Sequence, residues 1–169
     1  TNMSQVPAIP IPTSVSTVLT TLLNLQGCVG RQYNLAAPAT LDLNQNGLSG
    51  SWYNPATDGQ GIELEFFASA VAPDTAYVQG AWFTFDTGTT GGADRQRWYT
   101  FAGNAKAGEP SVAVKIYRNT GGNFNAPPTT ESSAVGTATL SFDSCTSGTL
   151  SYRFTDGTGL WFQDVRRFG

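Results

Sequence analysis

At 169 residues and a net charge of -3, the chain is long enough to bury one self-sufficient core and too short for two comfortable domains. Only 12% of the residues are charged, against about 25% in an ordinary soluble domain; 19 glycines and many Thr, Ser and Asn supply the polar surface instead. The acidic balance and the lack of a basic stripe exclude nucleic acid as a partner, and no apolar run of about 18 residues provides a helix that crosses a bilayer.

Residues 1–12 carry Pro7, Pro10 and Pro12, which favour polyproline or edge-strand geometry and rule out helix. From Thr13 the spacing changes: Val15, Val18, Leu19, Leu22, Leu23 and Leu25 fall three and four apart, predicting a short amphipathic helix capped by Thr13 or Ser14 and stopped by Gly27. A packed strand is the alternative, because β-branched residues are frequent in the segment. Residues 1–30 are thus read as an arm and amphipathic segment, and residues 31–169 as a single β domain. The chain begins with Thr1 and shows no basic, apolar leader, so the expectation is a secreted or cell-surface protein whose signal has been removed. Cys28 and Cys145 are the only cysteines; in an oxidising compartment they pair, and otherwise they are two buried thiols. With no histidine and no Cys-x-x-Cys motif, zinc and thiol-redox chemistry find no ligand set.

Asp42-Leu-Asn-Gln-Asn-Gly47 matches the first half of a calcium loop, with Asp42, Asn44 and Asn46 as oxygen donors and a glycine at the sixth position. The twelfth position, where a bidentate Glu belongs, is Tyr53. The competing reading is an Asx-rich turn. Residues 51–53 then form a short aromatic strand ended by Asn54-Pro55, Asp58-Gly59 and Gly61 supply a turn, and Ile62, Leu64 and Phe66 alternate with Glu63, Glu65 and Phe67 in the period of two that marks a strand with one buried face. Further strands are read over 76–86, 95–102, 112–118, 135–142, 149–155 and 160–168, with loops at 70–75, 87–94, 105–110 and 119–133 and a tight turn at Asp156-Gly157. About eight strands in such a rhythm predict an antiparallel meander that closes into a barrel or packs as a two-sheet sandwich.

Gly50-Ser51-Trp52 resembles the Gly-x-Trp of the calycin superfamily, the avidins and lipocalins. That resemblance implies an eight-stranded barrel in which Trp52 closes one end beneath a basic residue near the C-terminus, Arg166 or Arg167. A wider likeness covers most of residues 48–155: Gly50-Ser-Trp-Tyr-Asn-Pro-Ala-Thr-Asp-Gly-Gln-Gly61, Trp82-Phe-Thr-Phe85, Gln96-Arg-Trp-Tyr-Thr100, Thr120-Gly-Gly-Asn-Phe124 and Gly136-Thr-Ala-Thr-Leu-Ser-Phe142 with Cys145. This set is similar to a β domain of secreted bacterial proteins, which implies a compartment and a fold but no reaction.

Three functions compete. Counted by parity, Tyr77, Phe83, Phe85, Tyr99, Phe101 and Tyr117 fall on one side of three consecutive strands and Trp82 and Trp98 on the other; the first set is the candidate surface for an extracellular glycan or protein ligand. A self-assembling filament or surface-layer subunit is the alternative, with the proline-rich arm adding a strand to a neighbouring copy. A glycoside hydrolase comes last: Glu63 and Glu65 supply two carboxylates, but they project from one strand, whereas a sugar must be flanked from two sides. Ion pairing of these acids with Arg97, Lys115 or Arg153 is the simpler expectation. No catalytic residue is assigned, and calcium is the one cofactor considered.

Overall fold

A computed structural model of the chain describes Cys28 and residues 41–88, 90–125, 130–157 and 160–167, the side chains of 160–164 and 166 excepted. The regular structure there is all β apart from one 3-10 turn, Ala93–Arg95. The strands are β1 (Gly50–Tyr53), β2 (Gly61–Ala72), β3 (Thr75–Phe85), β4 (Gln96–Lys106), β5 (Ser111–Thr120), β6 (Glu131–Ser144), β7 (Ser147–Phe154) and β8 (Leu160–Arg167). Each pairs antiparallel with its neighbour in sequence, and β1 pairs with β8 through Trp52↔Arg167 and Tyr53↔Arg166, so the meander closes into a barrel rather than a sandwich. Closure removes the open edges that a Thr- and aromatic-rich sheet would otherwise present.

The period of two decides what fills the barrel. Ile62, Leu64 and Phe66 of β2 point inward beside Val78 and Trp82 of β3, and Val112 and Val114 of β5 stand beside Leu140 and Ala138 of β6, with Ile116 also buried. An eight-stranded barrel has an interior just wide enough for side chains to occupy. Gly80 lies opposite Phe101 in the register, and a Cβ there would collide with the Phe101 ring and with the backbone oxygen of Glu63; glycine is what allows that phenyl ring inside.

One end of the barrel is built by the chain that leads into β1. Leu43 and Leu48 are buried under β1, and the Trp52 indole, 1% exposed, donates to the Leu48 carbonyl at 3.1 Å while packing edge-on against Phe142 at 5.1 Å. Arg167 of β8 reaches across this end and donates to the Gly47 and Ser49 carbonyls at 2.7 and 2.8 Å. Cys28 and Cys145 meet here, their sulfurs 2.18 Å apart as a disulfide, which fastens the N-terminal side of the chain to the β6–β7 turn. Gly47 lies against the Cys28 backbone so closely that a Cβ would stand 2.5 Å from it.

Several strands run longer than the alternation implies. β2 continues through Ala72 where a loop is expected, β4 reaches Lys106, and β6 starts at Glu131, which shortens the long β5–β6 connection. The residues added, such as Asn104, Ser132 and Ser133, have weak strand preference, and their pairing with Tyr77, Asn119 and Arg118 supplies the backbone bonds that local sequence does not announce. The predicted arm and helix of residues 1–26 lie outside the described residues.

Candidate functional site

The outward positions of β2 to β5 can be written as rows across the sheet. Ser51, Glu63, Ala81, Thr100 and Tyr117 form one row; Glu65, Gln79, Ala102 and Lys115 form the next toward the closed end; Phe67, Tyr77 and Asn104 follow. Toward the opposite end stand Phe83 beside Trp98, then Phe85 beside Gln96. Phe67, Phe83, Phe85 and Trp98 are exposed, with Phe83 and Trp98 each at 51%. Phe67 and Tyr77 stack at 6.4 Å with their planes 27° apart.

Two depressions follow this face. One of about 770 Å³ lies among Phe83, Phe85, Gln96, Arg97 and Trp98. The other, about 420 Å³, lies among Glu63, Glu65, Tyr77, Gln79, Thr100 and Tyr117. Small side chains make the hollow: Ala81 floors both, and Ala102 deepens the second.

The six aromatics grouped by parity are divided by the wall of the barrel. Tyr77, Phe83, Phe85 and Tyr117 line the outer face, whereas Phe101 is buried and Tyr99 packs against the core. The grouping fails because parity changes at the β3–β4 hairpin: Trp82 pairs with Tyr99 and Phe83 with Trp98, so an odd position on β3 stands beside an even one on β4. The same inversion places Trp82 inside and Trp98 outside. Trp98 is therefore the outer-face residue that parity missed, and counting residues between the paired strand ends is the signal that finds it.

Inside the open end, Trp82, Tyr99, Tyr152 and Phe154 form an aromatic cluster, with Trp82 stacked parallel to Phe154 at 6.1 Å and edge-on to Tyr152 at 4.6 Å. Burial raises the phenol pKa of Tyr99, against the opposing charges of Arg118 and Arg97, and burial with the neighbouring Tyr99 raises that of Tyr152. Above the cluster, Thr84 donates to Gln60 at 2.6 Å.

The rim of this end is held by charge. Asp86 accepts Arg97 Nη2 at 2.7 Å and Arg95 Nη1 at 3.2 Å, and the Gly88 N–H at 3.1 Å, while Arg95 also lies 3.8 Å from Asp94. Partial desolvation pushes the Asp86 pKa up, but the Arg95 and Gly88 hydrogen bonds and the two guanidinium charges together outweigh it and leave the pKa below 3.8. Arg97 is thus engaged by Asp86 and not by Glu63 or Glu65. Glu63 instead accepts the Ser51 hydroxyl at 2.6 Å, and the ion pairs of this rim belong to Asp86 and Asp94. Both Glu63 and Glu65 are exposed and rise from one strand.

The oxygens of the calcium-like loop have other work. Asn44 Oδ1 accepts the Ser69 N–H at 2.7 Å, Asn46 Oδ1 accepts the Ala68 N–H at 2.8 Å, and Asp42 Oδ1 accepts the Asn44 N–H at 2.9 Å. Asn44 and Asn46 satisfy backbone donors where the β2–β3 register slips between Phe67 and Ala72, and the Asp42 bond to the N–H two residues on is the geometry of an Asx turn. Of the two terminal arginines, Arg167 covers the Trp52 end; the Arg166 side chain lies outside the described residues. Compared with protein-family models, curated proteins and solved structures, the chain finds no match.

Proposed function

We propose that the protein is an extracellular, non-catalytic binding module whose ligand is a glycan lying on the outer face of β2 to β5. The observation that carries this reading is the exposure of Phe83, Phe85 and Trp98 in one row-by-row array beside a hollow with an alanine floor. Aromatic rings exposed side by side on a rigid sheet give the apolar face of a sugar ring something flat to stack on. Glu63, Gln79, Gln96 and Thr100 stand alongside to bond hydroxyls. An extracellular setting fits a disulfide and a low-charge surface.

The test is retention on a panel of immobilised polysaccharides by the parent, Trp98→Ala and Phe83→Ala. The reading predicts retention by at least one polymer and a loss of about tenfold or more for each variant, the effect of removing one stacking ring. If no polymer retains the parent, and sedimentation velocity instead shows chains associating until Trp98→Ala is introduced, the face is a self-assembly surface and the glycan reading is lost.

A further inference from the structure

Resting on the glycan reading, we infer that the ligand is a linear polysaccharide carrying free amino groups, lying along β3 as an extended chain. The two depressions are one trough, since Ala81 belongs to the floor of both. Its outer positions run from Tyr77 to Phe85 along a single strand, a length of about 27 Å at roughly 3.4 Å per residue. That suits several sugar units end to end and is too long for a single ring. Stacking groups stand at both ends, Phe67 with Tyr77 at one and Phe83, Phe85 and Trp98 at the other.

The middle of the trough carries the charge. Glu63 and Glu65 flank Ala81 and Gln79, with their carbons about 7 Å apart along the strand. Neither takes part in an ion pair among the described residues. The nearest outward cation in the same row as Glu65 is Lys115, which lies three strands away across Gln79 and Ala102; that is about 14 Å, beyond the screening length of physiological salt. Arg97, at the other end of the trough, is held by Asp86. The centre is therefore acidic and its ends aromatic. An anionic polysaccharide is repelled there, a neutral one gains only stacking and hydrogen bonds, and an ammonium group gains a charge-assisted bond to a carboxylate with an aromatic face nearby.

The experiment is titration calorimetry of the intact chain with β-1,4-linked glucosamine oligomers, the same oligomers fully N-acetylated, and oligomers of a uronic acid. The expected result is about tenfold tighter binding of the free amine over the acetylated form, the size of one charge-assisted bond, reduced by added salt. Glu63→Gln with Glu65→Gln should erase the preference at an unchanged melting temperature, while Tyr77→Ala and Trp98→Ala should weaken both forms alike. Equal binding of amine and acetylated oligomers, or a preference that survives the double Gln variant, overturns the inference and leaves the glycan reading standing. Preference for the uronic acid overturns it as well. Binding of none of the three overturns the inference; only failure of the whole polysaccharide panel would also remove the reading beneath it.

Discussion

The two ends of the barrel hold themselves together by opposite means. The closed end uses a buried tryptophan, two leucines, main-chain carbonyls capped by Arg167 and a covalent bridge. The open end uses an aromatic cluster below a charged rim in which one carboxylate serves two arginines. Stability at the first comes from apolar burial and a constrained unfolded chain, which neither salt nor pH weakens directly. At the second, the aromatic packing is joined by a rim whose share depends on ionisation, so acid acts on the Asp86 contacts and not on the closed end.

Breaking the bridge should produce the largest difference between the ends. Cys28 and Cys145 are 117 residues apart in sequence, and in the chain-entropy model a closure of that size contributes about 4 to 5 kcal/mol. Cys28→Ser with Cys145→Ser should lower the denaturant midpoint accordingly, and thiol titration of the unfolded, unreduced parent should find no reactive sulfur; two reactive thiols would refute the pairing. Trp52→Ala comes next, with about 3 to 5 kcal/mol expected for a buried aromatic that also gives up its Leu48 bond. A melting temperature within a degree or two of the parent would show that the closed end does not rest on this residue. Arg167→Lys should cost about 1 to 3 kcal/mol, since an ammonium cannot span the Gly47 and Ser49 carbonyls as the guanidinium does.

The smallest effect belongs to the rim and is read by pH. The folded Asp86 pKa is lowered, so its stabilising effect is complete above the ordinary value of 3.8 and disappears as pH falls through the lower folded value. Below neutrality the parent should lose stability over that acid window, and Asp86→Asn should lose correspondingly less there, while the Trp52→Ala penalty stays constant across it. A parent and Asp86→Asn with parallel stability profiles from neutral to acid pH would mean that the rim contributes nothing through charge.

How much was legible in the residues follows the same division. The closed end is written in short local signals: Gly50-Ser-Trp, an Asx turn before it, and two cysteines that have only each other. Alternation within a strand was legible too, since Ile62, Leu64 and Phe66 fall inward and Glu63 and Glu65 outward as their spacing requires. What failed was alternation carried between strands. The side on which Tyr99 and Phe101 fall depends on how many residues the β3–β4 hairpin contains, and a loop that includes a 3-10 turn does not declare its register. The outer-face array, with Trp98 in place of Tyr99 and Phe101, needed the pairing itself. Likewise the Asp86 pair with Arg97 crosses from one strand end to the next and has no sequence spacing of its own.

The seam between β1 and β8 has a consequence for how such a barrel forms and breathes. Every other pairing joins strands adjacent in sequence, so each hairpin can zip from its own turn with little loop entropy to overcome. The seam joins the first strand to the last, and among the described residues its register includes Trp52↔Arg167 and Tyr53↔Arg166. It is the one strand pairing that must wait until the ribbon has curled round. Amide exchange at Tyr53 and at the end of β8 should therefore report ring opening, an event distinct from global unfolding, with Arg167 acting as the latch that sets its frequency.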